Sequence, residues 1–203
     1  MNRWTRDTTD GALLAAWRQG DRSAADCLIR RYGPRVYSFF ASKVSHGADE
    51  LCQQTFSECA IAHERIEEDG GRYSFRGFLF TIARRKLLNH YRTSQRRGRR
   101  FSPLEVSVAD LDCRVSEIVA NRQEHRRLQL ALRQLPVDAQ IAVELHYWEG
   151  LTIAEISRVV QAPQGTIKAR LVRARQRLKR LLEQDEVLRN RTLDNLLSTS
   201  DCR

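Results

Sequence analysis

Apolar residues recur at helical spacing in every periodic stretch of this chain, and no stretch shows the alternation of a strand. Asp21 suits a helix N-cap. It precedes a helical run formed by Leu28, Tyr32, Val36 and Phe39. Further helices are expected over about 48–66 and 75–96. The pattern therefore predicts an all-α fold whose first helical unit ends near residue 100.

The C-terminal part of the chain has the pattern of a helix-turn-helix. Thr152 followed by Glu155 predicts a capping box at the start of a short helix. Pro163 ends that helix and suits the first turn of the next one. The inward residues of this second helix are predicted to be Ile167, Leu171, Ala174 and Leu178. Its outer face is basic, as in helices that enter the DNA major groove.

The positive charge of the chain is concentrated in two runs. The 203 residues carry a net charge of +10, and the pI is about 9.9. Segment 84–100 holds eight Lys or Arg, segment 166–180 holds seven, and neither holds an acid. The rest of the chain has 20 basic and 25 acidic residues. Two such runs, each merging with a helical pattern, indicate two contacts on one long polyanion.

A segment with an acidic bias separates the two basic halves. Over residues 101–121 it contains Pro103, Arg114 and four acids, which are Glu105, Asp110, Asp112 and Glu117. We therefore expect two small, independently folded helical domains, at 1–100 and 123–184, joined by a linker at 101–122. The tail, 185–203, has leucines at 193, 196 and 197 that predict a small amphipathic helix.

Several classes of protein are disfavoured by what the sequence lacks. It has no apolar run long enough to span a membrane and no signal-peptide pattern, so we expect a cytoplasmic protein. Five cysteines without a CxxC pair fit neither a disulfide framework nor a zinc ribbon. Cys52, Cys59 and His63 share a helix face, but ordinary packing explains them better than a metal. We expect no cofactor, no metal and no catalytic site, because no nucleotide, metalloprotease or hydrolase motif is present.

The two basic helices suit two forms of DNA. In the second, four residues are candidates to face bases, namely Lys168, Ala169, Val172 and Arg173. Phosphate contacts are expected from Thr166, Arg170 and Arg175. The helix that begins at Phe75 combines rings with Arg85, Lys86, Asn89 and His90, a mixture that suits unstacked single-stranded bases. Phe78 also fits an ordinary core position. The glycine-containing loop 67–72 is suited to fold over an extruded base.

Four segments, which make up three motifs, resemble the extracytoplasmic-function sigma factors of bacterial RNA polymerase. Segment 48–56 is similar to the part of the family that docks on the polymerase clamp helices, and segment 75–84 resembles the minus-ten promoter helix. Segments 149–156 and 165–175 are similar to the minus-thirty-five reader. The resemblance covers about 10–100 and 125–183 in the family's order, although Gln161 stands where the family frequently has glycine.

The resemblance implies a transcription initiation factor with three sets of site residues. Its partners would be core RNA polymerase, promoter DNA and an anti-sigma factor. The residues facing polymerase would be Asp49, Glu50, Gln53 and Gln54. The minus-ten set would be Arg72, Phe78, Arg85, Lys86, Asn89, His90 and Arg92, and the minus-thirty-five set would be Thr166, Lys168, Ala169, Arg170, Val172, Arg173 and Arg175. The acidic linker would thread toward the polymerase cleft.

Two other functions compete with this interpretation. One is a helix-turn-helix repressor or activator that never joins core polymerase. The other is a DNA recombinase or nuclease, which would need a nucleophile or metal-binding carboxylates. Co-elution with core polymerase and promoter-dependent transcription would distinguish a sigma factor from such a regulator. Strand cleavage by the purified protein would identify a recombinase or nuclease.

Overall fold

The computed structural model describes residues 4–5, 7–65, 74–94, 101–111 and 123–198, and it contains helices and no strands in these ranges. The predicted all-α class is therefore confirmed. The α-helices are α1 (Asp10–Arg18), α2 (Arg22–Ala41), α3 (Ala48–Ala62), α4 (Phe75–Ser94), α5 (Gln123–Arg133), α6 (Val137–Tyr147), α7 (Ile153–Val160) and α8 (Gln164–Ser198). Two 3-10 helices cover His63–Arg65 and Ala109–Leu111.

Local side-chain chemistry sets where the first helices begin. The Asp21 carboxylate accepts a hydrogen bond from the backbone N–H of Ser23 at 2.8 Å, which confirms Asp21 as the N-cap of α2. Gly47 precedes α3 with a φ of 79°, a left-handed conformation that favours glycine. The α-helical part of α3 ends at Ala62, earlier than the sequence indicated, and continues as a 3-10 helix.

Part of the predicted linker caps helix α6. Pro136 at the N-cap has no side-chain donor or acceptor for the first backbone N–H groups of α6. The carbonyls of Val106 and Pro103 accept from Val137 N–H at 3.0 Å and from Asp138 N–H at 2.9 Å. The Val108 side chain is also fully buried. Residues 103–108 are therefore packed onto the second helical unit, while the Phe101 ring lies 5.3 Å from that of Tyr91 on α4. Residues 112–122 lie outside the described residues.

Helix α8 is longer than the sequence analysis expected. It runs without interruption from Gln164 to Ser198, so the leucines at 193, 196 and 197 continue α8 and do not form a separate short helix. The reason is that no glycine or proline occurs between Thr166 and Ser198 to stop helix propagation.

The two predicted helical units share one hydrophobic core. A contiguous cluster of buried side chains extends from Leu13 in α1 to Ala174 in α8. Helix α4 packs against both α3 and α7, so it joins the two halves. The sequence predicted the helical units but not this contact, because it does not reveal that complementary surfaces bring α4 and α7 together.

Candidate nucleic-acid interface

The turn between α7 and α8 is built around a non-glycine residue in the left-handed conformation. Gln161 has a φ of 57° and a ψ of 48°, and in the described part of the chain it is the only non-glycine residue with a positive φ. The Ser157 hydroxyl donates to the Ala162 carbonyl at 2.6 Å, and the Ala162 N–H donates to the Ser157 carbonyl at 3.0 Å. The capping box of Thr152 and Glu155 is present as predicted. The motif thus has a helix-turn-helix geometry without its usual glycine.

Helix α8 presents one apolar face to the core and one polar face to solvent. Ile167, Leu171 and Ala174 are buried, as the spacing predicted, and Leu178 packs against the same core. The exposed residues of its first turns include Thr166, Lys168, Ala169, Val172, Arg173 and Arg175. Val172 is 50% exposed despite being apolar. This surface combines cationic side chains with the exposed apolar side chain of Val172. Cations read base edges, and apolar side chains contact thymine methyl groups.

Arg170 differs from the other residues expected to contact the DNA backbone. Its side chain is only 12% exposed, and its Nη1 lies 3.7 Å from Oδ2 of Asp138 on α6. Burial lowers the pKa of Arg170, and the nearby Asp138 carboxylate opposes that shift. In this arrangement Arg170 is turned toward a protein carboxylate and is not available to a phosphate.

Two minus-ten candidates on α4 bind a carboxylate of α3. Lys86 Nζ lies 3.0 Å from Oε2 of Glu58, and Arg85 pairs with the other oxygen of the same carboxylate. Each side chain is at least partly exposed. A single glutamate therefore holds both cations at the surface, where a DNA phosphate can compete for them.

The remaining minus-ten candidates occupy different environments. Phe78 is half-buried and lines a cavity of about 550 Å³ between α4, α7 and Pro103. Asn89 and Arg92 are exposed and hydrogen-bonded to each other at 3.2 Å. The His90 ring lies 6.3 Å from that of His46, and burial followed by repulsion from His46 lowers the pKa of His90. Arg72 and the loop 67–72 lie outside the described residues.

The predicted polymerase-facing residues form one exposed surface of α3. Asp49, Glu50, Gln53 and Gln54 are all exposed. The Gln54 amide donates to the Glu50 carboxylate at 3.0 Å. Ile61, which the sequence patterns did not single out, lies two helical turns beyond Gln54 on this surface and is 83% exposed. A fully solvated isoleucine beside polar residues is the kind of contact that protein interfaces bury.

Comparison with known proteins assigns both halves of the chain to one family. Sigma-70 region 2 matches residues 28–97, and sigma-70 region 4 matches residues 125–178. The ECF RNA polymerase sigma factor SigM of Mycobacterium tuberculosis is 31% identical over 182 residues, which cover 87% of this chain and 86% of SigM. The chain belongs to the extracytoplasmic-function sigma factors.

Solved structures support the fold of this sigma factor. CnrH, in a complex with the cytosolic domain of CnrY, aligns with a TM-score of 0.65 at 24% identity over 88% of this chain and 99% of CnrH. The sigma factor RpoE of Bartonella quintana, in a complex with the anti-sigma factor NepR, aligns with a TM-score of 0.57 at 23% identity, covering 76% and 94% of the two chains. The family membership identifies the protein as an RNA polymerase sigma factor. An independent helix-turn-helix regulator is not favoured.

Among the described cysteines of the sigma factor, Cys59 is buried in the core, and Cys27 and Cys52 are partly buried against it. Burial raises the pKa of the Cys59 thiol to about 12, so at neutral pH the thiol is protonated and is a poor metal ligand. His63 instead stacks on Trp17, with 4.3 Å between ring centroids. Within the described ranges, no group of three His, Cys, Asp or Glu side chains is placed to hold a metal ion. No described helix is long and apolar enough to span a membrane.

A set of acidic residues that the sequence patterns did not single out joins the two halves of the sigma factor. Segment 134–157 contains no Lys or Arg and four acids, which are Asp138, Glu144, Glu149 and Glu155. Each acid contacts a side chain of the N-terminal half, and the partners are Arg84, Lys43, Arg35 and Ser74, respectively. The sequence did contain a signal for this contact. Segment 134–157 lacks Lys and Arg, whereas the two basic runs lack acids, so their charges are complementary.

Proposed function

We propose that this sigma factor contacts its promoter and polymerase through the residues selected from the sequence. The division would be a region 2-like domain at 1–100, a linker at 101–122, a region 4-like domain at 123–184 and a tail at 185–203. Both family matches fall inside the corresponding domains. The first domain binds polymerase and the minus-ten element, and the second binds the minus-thirty-five element.

The exposed stripe on α8 supports the minus-thirty-five assignment, and this single observation carries the proposal. The base-facing residues Lys168, Ala169, Val172 and Arg173 are solvent-exposed immediately after a helix-turn-helix turn. Arg173 reaches a guanine edge in this role, and Val172 reaches a thymine methyl. Thr166, Arg170 and Arg175 hold phosphates, which requires Arg170 to leave Asp138.

The outer face of α4 is proposed to hold the opened minus-ten strand. Extruding a base costs a few kcal/mol, which stacking and hydrogen bonds must offset. Phe78 supplies a ring, while Arg85, Lys86 and Arg92 supply cations for the strand. Asn89, His90 and Arg72 complete the proposed set. Phosphates replace Glu58 as the partner of Arg85 and Lys86, an exchange that the surface position of these pairs supports.

The α3 surface is proposed to dock on core polymerase. Asp49, Glu50, Gln53 and Gln54 offer hydrogen-bonding groups to a polar partner surface. Ile61 adds apolar area to the same contact. The combination of an apolar residue with a polar rim is typical of protein interfaces.

Further partners and properties follow from membership in this family. Sigma factors are non-catalytic regulators of RNA polymerase, and we infer that this chain has no reaction of its own. It acts in the cytoplasm, where polymerase and promoters are found. Because RpoE of Bartonella quintana forms a complex with the anti-sigma factor NepR, we also propose an anti-sigma partner for this chain.

Reconstitution with core polymerase tests the proposed function. Transcripts that appear on overexpression are sequenced first, and their shared upstream motifs supply a candidate promoter. Purified sigma factor is then mixed with core polymerase and this DNA. We expect a co-eluting complex and a run-off transcript that depends on both upstream elements. A matched control DNA with both motifs scrambled yields no transcript. Loss of both co-elution and transcription would contradict the proposal.

A further inference from the structure

A cavity of about 430 Å³ lies between α8, the start of α6 and the linker residue Leu104. Its apolar lining includes Leu104, Pro136 and Ala139, and its basic lining consists of three arginines of α8, which are Arg170, Arg173 and Arg177. Leu104, Arg173 and Arg177 are exposed, so the cavity opens to solvent. Its volume lies within the range of about 300 to 1,000 Å³ that is usual for small-molecule sites.

The three arginines of the cavity lie on one face of α8. Arg173 follows Arg170 by three residues, and Arg177 follows Arg173 by four, so their side chains are neighbours on the helix surface. A guanidinium group can donate two parallel hydrogen bonds to a phosphate or a carboxylate. Three such groups along one cavity therefore provide donors that can converge on a single anion.

The charges around this cavity are not balanced within the protein. Among the described residues that line it, Asp138 is the only acid, and its two oxygens already accept from Arg84 at 2.9 and 3.1 Å. Asp110 is a second nearby acid, because hydrogen bonds from Ser107 chiefly lower the pKa of Asp110 and the charge of Arg177 adds to this shift. Arg84 and the three cavity arginines therefore exceed these two acids by two positive charges.

Arg170 has the surroundings that most favour an anion. Its buried Nη1 makes no hydrogen bond in the part of the chain that the structure describes, because the 3.7 Å to Asp138 is too long for one. Burial lowers the pKa of Arg170, Asp138 opposes this shift, and the charges of Arg84 and Arg173 add to it. An anion in the cavity would satisfy the buried donor and offset the repulsion among the arginines.

We propose that this cavity binds a small phosphate monoester with an apolar body. The phosphate accepts hydrogen bonds from Arg170, Arg173 and Arg177, and the body lies against the apolar lining. A phosphate monoester carries a charge of about −1.5 to −2 at neutral pH and three strong acceptor oxygens. This charge matches the excess of two positive charges, whereas a carboxylate supplies only one negative charge. The apolar body accounts for the remaining volume and for the apolar lining.

The same ligand regulates binding to the minus-thirty-five element, because Arg170 and Arg173 are needed in both places. This part of the inference rests on the proposed function, in which Arg173 reads a base and Arg170 holds a DNA phosphate. A ligand that engages both side chains removes them from the DNA-binding surface, so ligand and promoter DNA compete. A phosphate of the DNA backbone has similar charge chemistry but lacks the apolar body, and this difference separates the two sources of phosphate experimentally.

Isothermal titration calorimetry on the full-length sigma factor, without DNA or polymerase, tests the cavity by itself. The probe is naphthyl phosphate, which combines a phosphate monoester with an apolar ring system. Inorganic phosphate lacks the body, and naphthol lacks the charge. We expect saturable binding of about one naphthyl phosphate per chain, binding of inorganic phosphate that is about 10-fold weaker, and no saturable binding of naphthol. No saturable binding of naphthyl phosphate would overturn the proposal.

Two exposed cavity residues outside all proposed DNA and polymerase contacts supply the test variants. Arg177→Ala removes a guanidinium, and Leu104→Glu places a carboxylate beside the arginines. Each should weaken the binding of naphthyl phosphate about 10-fold. Arg180→Ala is the matched control, because it removes an exposed arginine of α8 that does not line the cavity, and its binding should equal that of the wild type.

Equal binding by the wild type, both test variants and the control would overturn the proposal. Far-UV circular dichroism checks that each variant keeps its helices. Both test positions are exposed, so we expect both variants to fold, and if one does not, the other decides.

Fluorescence anisotropy with a labelled minus-thirty-five duplex measures the competition. At about ten times its Kd, naphthyl phosphate should weaken duplex binding about 10-fold, the shift expected for mutually exclusive ligands. Binding of naphthyl phosphate without displacement of the duplex would overturn the regulatory part of the inference.

Two further outcomes separate this proposal from its alternatives. If naphthyl phosphate does not bind while Arg177→Ala weakens binding equally to the minus-thirty-five duplex and to a scrambled duplex, the cavity is a contact for the DNA backbone and the proposal is overturned. If the sigma factor does not bind core polymerase, the proposed function fails, whereas saturable binding of naphthyl phosphate in calorimetry would still support the cavity as a binding site.

Discussion

Arg84 and Asp138 form a two-point ion pair between the halves of the chain, with Nε 2.9 Å from Oδ1 and Nη2 3.1 Å from Oδ2. Parallel hydrogen bonds of this kind are stronger and more directional than a single charged contact. The Asp138 side chain is 4% exposed and that of Arg84 is 11% exposed. The pair therefore lies in a poorly solvated part of the interface, where the loss of one partner is costly.

Asp138→Ala should lower the free energy of unfolding by about 3 kcal/mol, because it leaves Arg84 and Arg170 without their shared carboxylate. Denaturant unfolding followed by circular dichroism measures this change. Glu183→Ala is the control, and as an exposed site within α8 it should change the free energy by less than about 0.5 kcal/mol. Equal effects at both positions would show that the pair does not stabilise the folded chain.

Gln161→Gly should raise the free energy of unfolding by about 1 kcal/mol, since a left-handed residue with a Cβ is strained and glycine is not. Gln176→Gly provides the opposite control, because Gln176 lies inside α8. There, glycine should lower stability by about 1 kcal/mol. Thermal unfolding of the two variants and the wild type measures the expected gain in stability at position 161 and the expected loss at position 176. A loss of stability at position 161 would contradict the strain argument.

Arg173→Ala should weaken DNA binding in a sequence-dependent way, by about 1 to 3 kcal/mol if Arg173 reads a base. Arg175→Ala should weaken binding similarly on all sequences and flatten its salt dependence, because a phosphate contact is lost. Fluorescence anisotropy on the minus-thirty-five duplex and on a scrambled duplex, at several salt concentrations, measures both effects. Equal, sequence-blind losses at the two positions would refute the assigned roles.

The stability of the sigma factor should fall on acidification in part through His90. Burial and the neighbouring His46 depress the pKa of His90 in the folded state below its ordinary value of 6.5. The unfolded chain consequently binds this proton more readily, so stability is present above about pH 6.5 and is lost as the pH falls through the folded pKa.

Denaturant unfolding of His90→Asn between pH 7.5 and pH 5, compared with the wild type, isolates the contribution of His90. The variant should lose less stability over this interval. His63→Asn is a control, because it removes a histidine from another part of the surface. Parallel curves for His90→Asn and the wild type would exclude His90 as a contributor.

Local features of the fold were predictable because they depend on residues close together in sequence. Asp21 caps α2 through Ser23, and Thr152 and Glu155 form their box within one helical turn. The buried face of α8 follows from the spacing of Ile167, Leu171 and Ala174. The end of α8 was harder to place, because a helix without a breaker can continue past its last core residue.

The residues of the candidate site and their exposure could be predicted from the sequence. Their pairing partners could not. The exposure of Lys168 and Arg173 follows from helical periodicity. The pairing of Arg85 and Lys86 with Glu58 depends on how α3 lies against α4, which periodicity does not specify. Arg170 shows the same limitation, since its partner Asp138 lies on a different helix.

The sequence by itself determined most of the helices, the caps at Asp21 and Thr152, the two basic faces and the family to which they point, because propensity, capping and periodicity act over a few residues. Only the tertiary structure decided that the two halves close on each other. Lys43 and Glu144 are separated by 101 residues, and Arg84 and Asp138 by 54. Which of many possible acids meets a given base depends on shape and burial across the whole interface, and these exist only once the chain has folded.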